Sequence, residues 1–326
     1  MKGKPAPDER PKAGDPGDRG PDAALARAPR RLGEVLVSPD RRLALACLPM
    51  PTLAALLLLA AGAEPPARSP HAKVDLLAEG RAGRWEVHLN PRGDAVDAPA
   101  SVFAFQPDGT LRVSGKGYGA VTSRDAWRDY HLVVEYRWGD AQWGKAAGRA
   151  RNSGVLVHAR GPQGGRRGSW MASIEAEIIE GAVGDLLLLS GLTADGKPTE
   201  PPLPVSLVGE ARREGRELYW KEGGERIPLV DKGRVNWSRR DPAWRSVAGF
   251  RGREDVEPTH GRWGRLEVVA RSDTLEFRVN GVVVNRALEC RPSAGRIQLQ
   301  SEGSEIHFRR WELHPPGSFG EKWTGD

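Results

Sequence analysis

Residues 265–285 have the sequence RLEVVARSDTLEFRVNGVVVN, in which apolar residues alternate with polar ones over short stretches. Alternation with a period of two is typical of a β-strand that is buried on one face. Asn280-Gly281 separates the last two stretches. Asn-Gly favours a type I′ turn, because both of its residues tolerate a positive φ angle. The segment therefore predicts neighbouring antiparallel strands joined by tight turns.

The same alternation continues along most of the chain. It occurs in residues 85–89, 101–105, 110–114, 130–137, 153–160, 173–179, 185–189, 295–300 and 305–313. No segment after residue 63 has a long apolar stripe with the 3.6-residue period of a helix. About a dozen strands with few helices predict an all-β sandwich or barrel.

One stretch, residues 192–262, departs from this pattern. It is polar and rich in Pro, Gly, Arg and Glu. We interpret it as a long insertion between two halves of one sandwich, with short strands near 217–219 and 227–230. Loops of this length in compact domains are usually functional or disordered.

The N-terminal region has the features of an export signal. Arg41-Arg42 precedes an apolar run that ends in Ala61-Gly62-Ala63, so residues 41–63 predict a signal peptide cleaved near Ala63. Residues 1–40 predict a disordered tail or a start codon assigned too early. Residues 64–73 predict a linker. We expect a periplasmic or extracellular protein without a stable membrane span in the mature chain. An uncleaved membrane anchor is the alternative.

Composition argues against several classes of function. The net charge of +6 comes from 49 Lys and Arg against 43 Asp and Glu, whereas a nucleic-acid-binding protein concentrates its basic residues on one face. No nucleic-acid partner is therefore expected.

The two cysteines, Cys47 and Cys290, cannot form a disulfide framework or a cysteine metal cluster. P-loop, dinucleotide, zincin and nucleophile-elbow motifs are absent from the sequence. We interpret the scattered arginine pairs as solvated loops: Arg166-Arg167, Arg212-Arg213, Arg239-Arg240 and Arg309-Arg310.

The densest candidate chemistry is the run Ile174–Ile178. Successive side chains of a strand point to opposite faces, so Glu175 and Glu177 share the face opposite the apolar residues. Paired carboxylates suit general acid–base catalysis, because each raises the proton affinity of the other. They also suit a hard cation such as calcium. No other cofactor is expected. The alternative is a solvated sheet face.

Further polar and aromatic residues could recognise sugar hydroxyls. Asn152 begins a strand in which Leu156, His158 and Arg160 are expected to share one side. Gln298, Gln300 and Glu302 share a face of another strand. Of the 11 tryptophans, most are expected to pack in the core, and the best candidates for stacking on a pyranose are Trp143, Trp170 and Trp244.

Several of these motifs, in this order, resemble a known family. They are Asn152-Ser153-Gly154-Val155, residues 169–181 with Gly184-Asp185, Glu257 with residues 260–263, Val279-Asn280-Gly281, and residues 295–303. Together they resemble the 3-keto-disaccharide hydrolase domain family from about Val74 to Leu313. The resemblance implies a domain at 74–314 followed by a tail at 315–326.

The resemblance also implies a concanavalin A-like jelly roll of two antiparallel sheets whose concave face binds sugar. It implies exported bacterial proteins, some of which cleave glycosides oxidised at C3. Glu175 or Glu177 would then act as the base, and the other would protonate the leaving group or hold a cation. Arg160 or His158 would polarise the ketone.

Three functions remain open at this point. The first is an enzyme that hydrolyses 3-keto-glycosides, the second a carbohydrate-binding module without turnover, and the third an exported structural or adhesion domain. The Glu pair favours the enzyme, since a binding module needs aromatic rings and hydrogen-bonding groups but no paired carboxylates. The sequence leaves the oligomeric state unknown.

Overall fold

The structure is a computed structural model that describes residues 66–91 and 98–325, and these residues are nearly all β. The expected tail at 1–40 and signal peptide at 41–63 lie outside the described residues. In chain order the strands are β1 Val74–Asp75, β2 Trp85–Leu89, β3 Phe103–Phe105, β4 Leu111–Val113, β5 Gly119–Ser123, β6 Tyr130–Gln142, β7 Asn152–Arg160, β8 Ala172–Ile179, β9 Leu186–Leu189, β10 Ser206–Glu214, β11 Glu217–Trp220, β12 Glu225–Val230, β13 Arg234–Val235, β14 Gly264–Arg271, β15 Thr274–Val279, β16 Val282–Arg291, β17 Arg296–Ser301 and β18 Ser304–His314.

Helical structure in the described part of the chain is limited to short elements. They are α1 Leu76–Arg81, α2 Pro99–Val102 and a 3₁₀ turn at Gly144–Ala146. None of the helices in these residues is long and apolar enough to cross a membrane.

The strands form two antiparallel sheets that pack face to face. The larger sheet has the order β11-β10-β16-β15-β14-β6-β18-β4-β3, with β1 beside β18 and β12 beside β10. The smaller sheet has the order β13-β9-β8-β7-β17-β5-β2. This arrangement confirms the predicted concanavalin A-like jelly-roll sandwich, in which chain neighbours often lie in different sheets.

The hairpin predicted from Asn280-Gly281 is present. Strand β15 pairs with both β14 and β16 in antiparallel register. The φ angles of Asn280 and Gly281 are 50° and 81°, the positive values that a type I′ turn requires at both positions. The Asn280 side chain also accepts a hydrogen bond from the Arg265 backbone N–H at 2.8 Å, so the turn is fixed to the start of β14.

The insertion at 192–262 is more regular than its composition predicts. It contributes the nine-residue strand β10, which pairs with β16, β11 and β12 and extends the larger sheet. Strand β13 pairs with β9 and extends the smaller sheet. The short strands expected near 217–219 and 227–230 correspond to β11 and β12, and β10 and β13 are additional strands that the sequence did not indicate. Apolar residues on one face of β10, such as Leu207 and Ala211, are buried in the common core and hold the insertion in the sandwich.

Both ends of the described chain pack against the domain. In the expected linker, Arg68 N–H donates to the Ala126 carbonyl at 3.0 Å. In the expected tail, the Phe319 ring lies 4.9 Å from the His131 ring, on the outer side of the larger sheet. Glu321 forms ion pairs with Arg265 and Arg310 of the same sheet. Residues 66–73 and 315–325 therefore belong to the folded domain.

Large aromatic side chains fill the space between the sheets. Trp127, Trp237 and Trp311 are each exposed by 1% or less. The Trp311 ring lies 5.4 Å from that of Trp85, which joins β18 of the larger sheet to β2 of the smaller one. Such rings stabilise a sandwich because each buries a large apolar area.

We predict that Trp311→Ala lowers the free energy of unfolding by about 3–5 kcal/mol, since it leaves a cavity in the core. Urea denaturation measures this change. Trp143→Ala is the matched control, because the Trp143 side chain is 40% exposed, and it should cost roughly 1 kcal/mol or less. Equal losses for the two variants would contradict the assignment of Trp311 to the core.

Candidate functional site

The outer face of the smaller sheet carries the paired carboxyl groups. In the register of β7 and β8, Glu175 lies opposite Leu156 and Glu177 lies opposite Gly154. The residues that alternate with them, Ile174, Ala176 and Ile178, lie in the core. Glu175 and Glu177 therefore share the face that points away from the core, with Cα atoms about 7 Å apart along the strand.

Gly154 leaves room for this arrangement. A Cβ at this position would lie 2.6 Å from Gln300 Oε1 and closer still to Glu175 Oε1. The Gln300 side chain, on β17, hydrogen-bonds the Glu175 carboxyl above this glycine. Any side chain at residue 154 would displace one of the two groups, so glycine is required here by the close approach of its neighbours.

Two buried acceptor atoms beside the carboxyl pair have no hydrogen-bond partner among the described residues. They are Asn152 Oδ1 and Gln300 Oε1. Asn152 also hydrogen-bonds Glu177, as Gln300 does Glu175. A buried acceptor without a partner costs free energy, and a ligand that supplies a hydroxyl donor removes this cost.

Glu175 lies in an environment that favours the protonated carboxyl. Only 4% of the Glu175 surface is exposed to solvent. The pKa of Glu175 is raised well above its ordinary value, because burial disfavours the charged form and Glu177 and Glu302 repel a second negative charge. The hydrogen bond from Gln300 opposes this effect without cancelling it.

Glu177 has a different balance of neighbours. The pKa of Glu177 is also raised, with burial as the largest cause, but the next largest influence is Arg234, whose positive charge favours the ionised form. Arg240 and the hydrogen bond from Asn152 act in the same direction, while Asp185 opposes them. Of the two carboxyls, Glu177 is therefore the better placed to carry a negative charge.

Arg234 and Arg240 are held in place by Asp185, whose side chain is fully buried. Arg234 Nε donates to Asp185 Oδ2 at 2.8 Å, and Arg240 Nη1 lies 3.3 Å from the same oxygen. The Trp237 backbone N–H donates to Asp185 Oδ1 at 2.6 Å. Burial opposes charge on Arg234, but Asp185 and Glu177 outweigh it and raise the Arg234 pKa.

These three residues were not predicted as site residues. Asp185 belongs to a motif of the family resemblance, but no alternation of polar residues marks Arg234 or Arg240, which come from the insertion. The interpretation of Arg239-Arg240 as a solvated pair is wrong for Arg240, which is 9% exposed. The pairing of β13 with β9 brings the insertion to this face.

Arg166 is a further cation beside Glu175 that the sequence did not identify. It is half-buried in the loop between β7 and β8 and donates to the Ser190 carbonyl at 3.1 Å. Burial lowers the pKa of Arg166, with Arg167 adding to this effect and Glu175 opposing it. Its guanidinium is thus close enough to Glu175 to interact with the charge of that carboxyl.

Two tryptophans lie near β5 and the turn between β17 and β18. The Trp143 backbone N–H donates to the Gly303 carbonyl at 2.8 Å, next to the half-buried Glu302. Trp170 Nε1 donates to the Gly119 carbonyl at 3.0 Å, and its ring lies 6.2 Å from that of Tyr118. Trp143 and Trp170 keep partly exposed ring surfaces that could stack on a sugar.

The structure does not bring His158 and Arg160 to this face. A β-bulge interrupts β7 between Val157 and Arg160, and His158 has a φ of 53°. The His158 ring therefore turns toward the core and lies 5.9 Å from the Tyr130 ring, and burial lowers its pKa to about 4. Arg160 lies opposite the core residue Ala172 and donates to the Pro204 carbonyl. The expected common side for Leu156, His158 and Arg160 is wrong, because one extra residue changes the alternation.

Gln298 and Trp244 are occupied by structural contacts. Gln298 Oε1 accepts a hydrogen bond from the Met171 N–H at 3.0 Å, and its Nε2 donates to Thr122 Oγ1 at 2.8 Å. Gln298 thus holds the loop before β8 on the sheet. Trp244 packs against a small cluster that contains Ile179, and the Arg240 guanidinium lies 4.3 Å from its ring centre. Trp170, by contrast, is only half-buried and contacts Gly119 and Tyr118.

Within residues 66–91 and 98–325, no group of three or more His, Cys, Asp or Glu side chains is arranged to hold a metal ion. A calcium ion at the carboxyl pair therefore stays a prediction.

The two antiparallel sheets define a jelly-roll sandwich domain with a polar outer face on the smaller sheet. The family model described as the 3-keto-alpha-glucoside-1,2-lyase-like domain matches residues 79–314. The chain belongs to this family, which confirms the resemblance seen in the sequence. No curated protein matches the chain.

Solved structures similar to this chain include a Parabacteroides distasonis protein assigned as a glycosyl hydrolase (15% identity, TM-score 0.39, 75% of this chain and 94% of that one). Others are the carbohydrate-binding module CBM66 from Bacillus subtilis (10% identity, TM-score 0.37, 76% and 99%) and the Bacillus licheniformis β-glucanase (10% identity, TM-score 0.35, 71% and 91%).

The environment of Glu302 generates a prediction about stability. Burial and the nearby Glu177 raise the pKa of Glu302 to about 8. The folded state therefore binds a proton between about pH 5 and 8 that the unfolded state has lost, and the free energy of unfolding falls as pH rises through this range. We predict a smaller fall in Glu302→Gln, measured by urea denaturation at pH 5, 6.5 and 8.

Glu305→Gln is the matched control from the same hairpin. The pKa of Glu305 is lowered, since its hydrogen bonds from Arg112 and the Ala141 N–H outweigh burial. Glu305 is thus ionised in both states above pH 5, and its loss should lower stability equally at the three pH values. An unchanged pH dependence in Glu302→Gln would contradict the assignment.

Proposed function

We propose that this chain is an exported hydrolase that cleaves 3-keto-glycosides by acid–base catalysis from Glu175 and Glu177. The description of its family points to substrates that carry a ketone at C3. The observation that carries the proposal is the unequal surroundings of the two buried carboxyls. Enzymes commonly set apart the pKa values of neighbouring carboxyls in this way, so that one gives a proton while the other accepts one.

Glu177 is proposed as the base, because Arg234 and Arg240 favour its charged form. A ketone at C3 acidifies the proton on C2. Glu177 takes that proton, the electron pair moves toward the C3 oxygen as an enolate, and the C1–O bond then breaks. Glu175, which is held protonated by burial and by its acidic neighbours, gives its proton to the departing oxygen.

Water completes the reaction. It adds to C1 of the resulting unsaturated ketone, a proton returns to C2, and the sum is hydrolysis of the glycosidic bond with both carboxyls restored. The negative charge that develops on the C3 oxygen needs a cationic partner. Arg166 replaces Arg160 and His158 in this proposed role, because it lies beside Glu175 while the other two face away.

The proposed substrate contacts surround the two carboxyls. Asn152 and Gln300 have acceptor atoms without a partner in the described part of the chain, and sugar hydroxyls would supply the donors. Trp143 and Trp170 would stack on a pyranose face at the rim, where the cavity beside Trp143 and Tyr118 has a volume of about 150 Å³. Glu302 lies next to this rim and would contact the substrate there.

The partly exposed aromatic rim also favours the second candidate, a carbohydrate-binding module without turnover. A module of this kind needs stacking rings and hydrogen-bonding groups, and this face provides both. It gives no reason for two buried carboxyls beside unpartnered acceptors, since buried acids are costly unless they have a task.

We predict that Glu175→Gln and Glu177→Gln each lower kcat/KM for a 3-keto-disaccharide by about 10²–10⁴-fold. The unoxidised parent disaccharide should not be cleaved, because its C2 proton is not acidic. Glu222→Gln is the control. The Glu222 side chain is 74% exposed and is not one of the proposed site residues, so this variant should have the kcat/KM of the wild type.

Chromatographic detection of the released monosaccharide measures turnover, and calorimetry measures binding. Sugar binding by the wild-type protein without turnover of either disaccharide would favour the binding module. Full activity in both Gln variants would contradict the catalytic roles.

We further predict that Gly154→Ala reduces turnover by about 10²-fold while the fold is retained. The new methyl group would displace the Glu175 carboxyl, and a shift of about 1 Å at a reacting group has a cost of this size. Gly320→Ala, at an exposed position with an ordinary φ where a Cβ meets nothing within 4 Å, controls for the substitution itself. If Gly154→Ala has the kinetics and the circular dichroism spectrum of the wild type, the Glu175 carboxyl does not need the space that glycine leaves at residue 154.

A further inference from the structure

A second polar cavity lies within the insertion, outside the carboxyl cluster. It has a volume of about 270 Å³ and is lined by Arg212, Arg239, Arg240 and Arg253, together with Asp241 and Glu254. Four guanidinium groups thus face two carboxylates. The lining therefore carries a net positive charge.

Arg240 forms the inner wall of this cavity. It is only 9% exposed, and its Nη1 bonds Asn236 Oδ1 on the side that faces Asp185. Its Nε is buried and has no hydrogen-bond partner among the described residues. Burial lowers the pKa of Arg240, as does the nearby Arg234, while Asp185 opposes both. A buried N–H of a cation without an acceptor is costly.

Arg212 shows the same deficit. Its Nη2 donates to the Ser238 carbonyl at 3.4 Å and pairs with Glu214 at 3.1 Å. Its Nη1 is buried and has no acceptor in the described part of the chain. Two of the arginines that line the cavity, Arg212 and Arg240, therefore each have a buried guanidinium N–H without an acceptor in the described part of the chain.

Arg239 and Arg253 line the outer part. Their side chains are 44% and 90% exposed, and their pairs with Glu254 and Asp241 are long, at 3.6 and 3.8 Å. Exposed pairs of this length contribute little free energy. Both guanidiniums can therefore turn toward an incoming anion at small cost.

We propose that this cavity binds a small oxyanion, such as the carboxylate or sulfate group of an acidic saccharide. Planar guanidinium forks match the geometry of carboxylate and sulfate oxygens. Arg240 lines the cavity and also contacts Asp185, so this residue links the cavity to the network around the carboxyl pair. The proposal stands on the cavity and its unpartnered groups, and it does not depend on the catalytic roles of Glu175 and Glu177.

Isothermal titration calorimetry tests the proposal, with sodium sulfate and sodium glucuronate as probes and sodium chloride at equal ionic strength as the reference. We expect saturable binding of sulfate or glucuronate at one site. The double variant Arg239→Gln, Arg253→Gln should bind at least tenfold more weakly and should fold normally, because both side chains are exposed. Arg216→Gln, an exposed arginine outside the cavity, should bind as the wild type does.

The two probes separate the sources of the oxyanion. Binding of glucuronate as well as sulfate supports an acidic sugar, and binding of sulfate alone supports a free inorganic anion. The absence of saturable binding by both probes, or equal binding by the double variant and the wild type, would overturn the proposal.

Discussion

The buried ion pair between Asp185 and Arg234 is the interaction on which the candidate site depends. Asp185 follows directly on the turn after β8, and Arg234 begins β13 of the insertion. Their contact, with Nη2 and Oδ2 2.6 Å apart, ties the insertion to the outer face of the smaller sheet. A buried ion pair of this kind is stabilising only when its other polar atoms also have partners. Here Arg240 and the Trp237 N–H are the further partners of the Asp185 carboxylate.

This network explains why two similar carboxyls behave differently. Both lie on one face of one strand and both are buried, so the backbone alone would give them equal surroundings. Arg234 adds positive charge mainly near Glu177, whereas the charges of Glu177 and Glu302 both disfavour ionisation of Glu175. Arg240 of this network also lines the arginine-lined cavity, so Asp185 helps to position side chains in both polar regions.

Local patterns predicted much of the fold, because they report directly on burial. The alternation around Ile174 and the turn at Asn280-Gly281 are properties of a few adjacent residues, and the structure confirms both. The place of Glu175 and Glu177 on a common outer face follows from the same rule. The bulge at His158 could not be predicted, because it depends on the register between β7 and its neighbours. Arg234 was missed for a similar reason, since only a pairing between distant segments brings it to the site.

The central claim is that one carboxyl of the pair is protonated at neutral pH while the other is ionised. A ¹³C NMR titration of the glutamate side-chain carboxyls tests it directly, with Glu175→Gln and Glu177→Gln used to assign the two signals. We predict that the Glu175 signal has the shift of a protonated acid at pH 7 and that the Glu177 signal has the shift of a carboxylate. Two signals that both titrate near the ordinary pKa of an exposed glutamate, about 4.3, would contradict it.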